Sequence, residues 1–149
     1  MSIGVETFDD AVLTLLQKGA TVQDNINCLE VCREVGIKTR VLMMIGTPGQ
    51  TPETIRKNKE ALLTVPYDIV ACTTFVPLPG SQIWRYPRQF NIRILSKNLD
   101  DYNFYFFGPQ GENDYVQIIS PRDRDPDEFH QETIDFRRWL ITTAKVNTG

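Results

Sequence analysis

Apolar residues in the first half of the chain fall into short blocks, punctuated by Gly, Pro and polar turns, that switch between strand-like runs and helical spacing. Ile3 to Val5 is a brief apolar run that predicts a strand, and Asp9-Asp10 then open a helix carrying Val12, Leu13, Leu15 and Leu16 that stops at Gly19. Thr21-Val22-Gln23-Asp24 has the form of a capping box. Behind it Val22, Ile26, Leu29, Cys32 and Val35 recur at helical spacing, and Gly36 closes that helix. A second strand is expected from about Thr39 to Ile45; its apolar residues are continuous, as in a parallel strand covered on both faces. Thr51 as N-cap and Pro52 at the first helical position start a third helix with Ile55, Ala61, Leu62 and Leu63, and Ile69 to Val76 is the third strand. Strands and helices alternating at these intervals imply an α/β fold built from right-handed, parallel βα units.

The character changes after Gly80. Residues 81 to 114 are rich in aromatics, Asn, Asp and Gly, and read as mostly loop with a short helical piece near Leu99 to Phe104. Tyr115 to Ser120 predicts one more strand, and Asp125-Pro126-Asp127-Glu128 starts a final amphipathic helix with Phe129, Phe136 and Leu140 on one stripe. The expected organisation is a βα region over residues 1–84 and a loop-rich α+β tail over 85–149 packed on it.

Composition narrows the function classes. A net charge of −3 argues against a nucleic-acid face, and the locally basic Arg85, Arg88, Arg93 and Lys97 read as solvated side chains. No run of about 18 apolar residues marks a membrane span, and no charged and apolar leader follows Met1, so a cytoplasmic location is the expectation. Three cysteines, an odd number without disulfide-scaffold spacing, fit a reducing compartment. Cys28 and Cys32 form a CxxxC pair, but they sit mid-helix and read, with Cys72 in its apolar strand, as small core-facing residues. His130 is the sole histidine and lies on the last helix, which disfavours Ser-His-Asp chemistry and a His-based zinc site; no metal ligands are assigned. The acidic groups at 99–101 and 112–114 read as solvated loop charges.

Three segments carry a resemblance: Ser2-Ile3-Gly4-Val5-Glu6-Thr7, Met43-Met44-Ile45-Gly46-Thr47-Pro48-Gly49-Gln50-Thr51 and Phe75-Val76-Pro77-Leu78-Pro79-Gly80-Ser81. Their order and spacing resemble strands four, five and six of the partial (β/α) barrel of radical S-adenosylmethionine (SAM) enzymes. The tail is loosely similar to members that carry an upstream cobalamin-binding domain. The CxxxCxxC loop that holds the family's 4Fe-4S cluster belongs near strand one, and this chain reads as beginning at strand four. The Cys28 and Cys32 pair does not supply it, because Val35 stands where the third ligand would fall.

The resemblance implies SAM contacts at strand ends, where binding residues of parallel barrels sit. Glu6 and Thr7 would approach the ribose hydroxyls and the methionyl group, and Lys18 the methionyl carboxylate. Gly46 and Thr47 would lie against the adenine, with Val76 and Pro77 backing it. Gly46 to Thr51 also reads, less specifically, as a phosphate cradle without the P-loop lysine. The resemblance implies SAM and a 4Fe-4S cluster in a full-length enzyme, with cobalamin as a further cofactor. The chain would then be a fragment, inactive alone, whose partner is the missing amino-terminal half of the barrel. Its open sheet edge favours self-association, and a degenerate half-barrel acting as a binding or oligomerisation module is the alternative. A third reading uses Glu6 and Lys18 as acid and base of a lyase or isomerase, and it requires both side chains in one cleft.

Overall fold

β1 (Ser2–Glu6), β2 (Arg40–Ile45) and β3 (Ile69–Thr74) pair in parallel, in the order β1-β2-β3, in a computed structural model that describes residues 1–102 and 116–144. The strands are joined by α1 (Asp10–Leu15) with α2 (Val22–Glu34), and by α3 (Pro52–Thr64). Parallel pairing demands a crossover, and successive right-handed crossovers put α2 and α3 on the same face of the sheet.

The helix starts follow from local chemistry. Asp9 caps α1 by accepting from the Ala11 N–H, Thr21 and Asp24 complete a capping box on α2, and Thr51 caps α3 ahead of Pro52. Each satisfies backbone donors that have no partner inside the helix.

Val41, Met43 and Ile45 of β2 and Val70 and Cys72 of β3 are buried, in one core with Leu29 of α2, Ile55 and Leu62 of α3, and Phe136 and Leu140 near the C-terminus. The intervening Leu42, Met44, Ala71 and Thr73 are only half-buried. Burial therefore alternates along β2 and β3, a correction to the expectation of strands covered on both faces. The unbroken apolar run marks a second face that is apolar in composition yet only partly covered by the described residues.

The helical stripes need correction at three positions. The buried line of α2 is Asn25, Leu29 and Cys32, so Val35 is 63% exposed and Cys28 is exposed rather than core-facing. On α3 the buried line is Thr54, Ile55, Asn58 and Leu62, which leaves Leu63 outside. In both helices a polar residue takes a core position because it has a hydrogen-bonding partner there, and an apolar periodicity does not register it.

The tail is more regular than its composition suggests. α4 (Gln82–Arg85) and a 3-10 turn at Pro87–Phe90 lead into β4 (Ile92–Ile94), which pairs antiparallel with β5 (Ile119–Pro121). β4 was not expected, since Ile92-Arg93-Ile94 is too short to show alternation. β5 is shorter and later than the strand expected from Tyr115 to Ser120, and Tyr115 lies outside the described residues. The helical piece expected near Leu99 to Phe104 is a 3-10 turn at Leu99–Asp101, and Phe104 lies outside the described residues, as do 112–114. Arg93 Nη2 ties this ribbon together by donating to Ser120 Oγ, Pro121 O and Arg124 O, so it is a structural bracket rather than a free cation. A second apolar cluster forms around Ile92, Tyr102, Ile118 and Ile119, with Phe75, Val76 and Trp84 packed against it. α5 (Pro126–Thr143) starts at the Asp125 cap and buries Phe129, Phe136 and Leu140, as the stripe predicts. Among the described residues no helix is long and apolar enough to cross a membrane.

Candidate functional site

At its carboxyl end β1 departs from regular pairing. The register steps from Gly4 opposite Leu42 to Glu6 opposite Met43, so Val5 is an extra residue and a bulge forms. Glu6 takes a φ of 64°, in the left-handed region that a non-glycine residue occupies at a cost of about 1–2 kcal/mol. Bulges of this kind re-aim a side chain at the rim of a sheet.

The consequence is visible at Gly4. A Cβ placed there would come within 2.8 Å of Glu6 Oε1 and 3.0 Å of Lys18 Nζ, so both charged groups lie directly over the bare Gly4 backbone. Lys18 reaches this point because α1 ends in a left-handed turn at Gln17, φ 54°, and the Lys18 N–H donates to Leu13 O. The resulting ion pair, Lys18 Nζ to Glu6 Oε1 at 2.9 Å, is partly sheltered, with the two side chains 32% and 19% exposed. Gly4 pairs with Leu42, which shares its face with Ala71, so the pair stands on the half-open side of the sheet. In a double-mutant cycle the Glu6–Lys18 coupling is expected to be about 0.5–1 kcal/mol in the native background and near zero in Gly4→Ala, as denaturant unfolding would show.

Thr7 turns to the other side. It is buried, and its hydroxyl donates to Asn58 Oδ1 at 2.9 Å while the Phe8 N–H donates to the same oxygen. Next to it the buried Asp9 accepts from Thr54 Oγ1 at 2.7 Å and Lys57 Nζ at 3.2 Å. Burial alone would raise the Asp9 pKa, but hydrogen bonds from Thr54, Lys57 and the Ala11 N–H, with the Lys57 charge, hold the carboxyl below its ordinary range. This clamp between the β1–α1 loop and α3 was not foreseen. Its signal in the sequence is a pair of polar residues, Thr54 and Asn58, four apart and in line with Leu62.

The loop after β2 is fixed equally firmly. Gly46 is buried with φ 69°, and its N–H donates to Gln50 Oε1 at 2.8 Å. Thr47 is buried too, and its carbonyl accepts from the Gln50 N–H. The positive φ gives Gly46 a conformational reason to be glycine. The phosphate-cradle reading loses ground here, because the Gly46, Thr51 and Thr54 N–H groups already have side-chain acceptors. Beyond β3, Phe75 continues the pairing by donating to Ile45 O, Val76 packs on the second cluster and Pro77 is buried. Glu6, Lys18, Gly46, Thr47, Val76 and Pro77 thus all follow strand ends on the carboxyl edge, and the tightest convergence is Glu6 with Lys18 over Gly4.

An iron–sulfur cluster does not fit the described residues. They hold no group of three or more Cys, His, Asp or Glu that could bind a metal. Cys28 is exposed on α2, while burial pushes the Cys32 thiol up, assisted by Cys28, and pushes Cys72 up strongly, assisted by the Glu6 charge. Protonated thiols are poor metal ligands.

The sequence profile described as "Radical SAM superfamily" matches residues 1–62. Two curated relatives are similar: the uncharacterized methyltransferase PH0819 of Pyrococcus horikoshii, 25% identical over 66% of this chain and 21% of that protein, and the uncharacterized protein MK0932 of Methanopyrus kandleri, 24% identical over 58% of this chain and 17% of that one. The chain spans about a fifth of the length of these relatives. A solved structure of the archaeal Methanocaldococcus infernus Elp3, with an N-terminal deletion (1-46), superposes with a TM-score of 0.61 at 18% identity, over 99% of this chain and 28% of that one. That likeness shows the fold, and the profile match spans β1, β2 and most of α3, which hold the first two of the three expected parallel strands. By fold the chain is similar to this Elp3 structure, and by sequence profile its residues 1–62 are similar to the radical SAM superfamily.

Proposed function

We propose that this chain forms one wall of the SAM cleft of a radical SAM enzyme, with the iron–sulfur cluster held by residues outside it. The observation that carries the reading is the Glu6–Lys18 ion pair over Gly4, on the half-open face at the carboxyl edge of a parallel sheet. SAM ends in a zwitterionic amino acid. Lys18 suits its carboxylate, Glu6 suits its ammonium or a ribose hydroxyl, and the missing Gly4 side chain leaves room for these two charged groups to converge. Gly46 and Thr47 of the locked β2 loop, with Val76 and Pro77, would bound the adenine. Given one electron from the cluster of such an enzyme, bound SAM would supply a carbon radical able to abstract substrate hydrogen, and this chain's residues would orient it and exclude water. Thr7 belongs to the site through its backbone in this reading, since its hydroxyl serves the clamp to α3.

The chain would not be active alone, its compartment would be the cytoplasm, and residues 85–149 would form a tail on a half-barrel ending near residue 84. Cobalamin has no residue among those described that calls for it, and the proposal leaves it out.

Nitrogen-15 NMR of the chain titrated with SAM to millimolar concentration tests the reading. Expected are shifts concentrated at Gly4, Glu6, Gly46, Thr47 and Val76 that disappear in Lys18→Met. Shifts elsewhere, or none, would overturn it and favour the interaction-module alternative.

A further inference from the structure

A second concave site lies at the opposite end of the sheet from Glu6 and Lys18. It is a cavity of about 300 Å³ under the amino edge, walled by Arg33 near the end of α2, by the loop from α2 to β2 at residues 36–39, and by the loop from α3 to β3 at residues 66–68. β2 is six residues long, so a rise of about 3.3 Å per residue sets this cavity roughly 20 Å from the carboxyl edge. A small ligand held here could not touch the Glu6–Lys18 pair.

The walls hold one another. Asp68 bridges the two loops, its Oδ2 accepting from the Thr39 N–H at 2.7 Å and its Oδ1 from Lys38 Nζ at 3.0 Å, and the Asp68 and Ile69 N–H groups both donate to Thr39 O. α2 stops on Gly36 at φ 76°, where the Gly36 N–H donates to Arg33 O and the Ile37 N–H to Cys32 O. That pairing is the Schellman pattern, and it satisfies carbonyls that would otherwise draw a cation to the helix end. Tyr67 packs on the main core, which fixes its side of the cavity.

Positive charge is left over on one side chain. The Asp68 carboxylate is balanced by Lys38, whereas Arg33 makes no hydrogen bond or ion pair through its side chain among the described residues. An unpaired guanidinium beside an acid that is already neutralised leaves the site net positive and suited to a phosphate or carboxylate. Ile37, Pro66 and Tyr67 supply apolar surface to the same cavity. Cavities that hold small ligands run from about 300 to 1,000 Å³, so this one, at the lower end, takes one ring and one head group rather than a nucleotide.

We infer that this cavity is a binding site for a small aryl anion, a phosphate or carboxylate joined to a flat ring, with Arg33 on the head group and Tyr67, Pro66 and Ile37 against the ring. The site is separate from the cofactor cleft and stands whether or not that reading holds. Because the ligand touches both loops, it braces the ends of α2 and α3 against the amino edge of the sheet.

Phenyl phosphate, titrated into the chain and followed by nitrogen-15 NMR, tests the inference. Expected are shifts at Gly36, Ile37, Lys38, Thr39 and Asp68 that saturate with a Kd of about 1 mM or tighter, and a melting temperature raised by about 3–6 °C at ten times that concentration. Inorganic phosphate and phenol, each lacking one half of the probe, should bind at least tenfold more weakly. Arg33→Gln should weaken phenyl phosphate at least tenfold while leaving the melting temperature of the free protein unchanged. Arg85→Gln, which removes an exposed cation of the tail, should leave binding as it is. No shift at these residues by about 10 mM, equal affinity for inorganic phosphate or phenol, or an Arg33→Gln protein that binds like the parent would each overturn the inference. Shifts confined to Gly46 to Thr54 would place the anion at the β2 loop instead and overturn it as well.

Discussion

Phe136→Ala is expected to lower the unfolding free energy by about 3–5 kcal/mol, enough to unfold much of the protein at 37 °C. Phe136 is fully buried and stacks on Trp139, with ring centroids 5.8 Å apart. It shares one core with Val41, Met43 and Ile45 of the central strand and Leu62 of α3. Little around it can collapse into the space, because its neighbours are strand residues fixed by pairing on both sides of β2. The exposed Ile141 of the same helix, replaced by Ala, should cost under about 0.5 kcal/mol. Guanidinium unfolding followed by circular dichroism separates the two. A small effect at Phe136 would mean that α5 docks weakly and that the sheet holds without it; a large one makes residues 126–143 part of the body that supports the carboxyl edge of the sheet.

Which parts of this were legible in the sequence follows from what each signal measures. Caps and apolar stripes are local, so Asp9, Thr21, Thr51 and Asp125 were placed correctly, and the parallel order of three strands followed from their spacing. Burial of a polar residue depends on a partner far along the chain. Asn58 is paired with Thr7 across 51 positions, and Asn25 Nδ2 reaches Val5 O at 3.5 Å, so neither announced itself. Glu6 and Gly46 stand out in the sequence as strand ends, and Lys18 only through the resemblance. The sequence could not show that a bulge and a left-handed turn at Gln17 bring Glu6 and Lys18 together over Gly4, because backbone strain leaves no mark in composition. Cys28 shows the opposite failing: its type suggested the core, yet its place on the helix puts it on an open flank.

Asp9→Ala should cost about 2–4 kcal/mol, a large loss for one small polar side chain. The substitution removes the N-cap of α1, for about 1 kcal/mol, and strips the Thr54 hydroxyl of its acceptor and Lys57 of its ion-pair partner. The same carboxylate makes the protein acid-sensitive, with a sign that follows from linkage. Its pKa is lower folded than unfolded, so the clamp contributes fully above the unfolded value near 4 and is lost as pH falls through the lower, folded value. Burial lowers the His130 pKa, despite the opposing charge of Asp127, and this acts in the same direction at higher pH: protonation favours the unfolded chain as pH drops below about 6.5. Stability should therefore fall in two stages on acidification, and Asp9→Asn should flatten the lower stage while leaving the upper one intact. Urea unfolding at pH 7, 5 and 3 checks this. An Asp9→Asn protein with the parent's full pH profile would show that the carboxylate's charge is not what holds the β1–α1 loop to α3, and the positioning of Glu6 would then rest on the bulge alone.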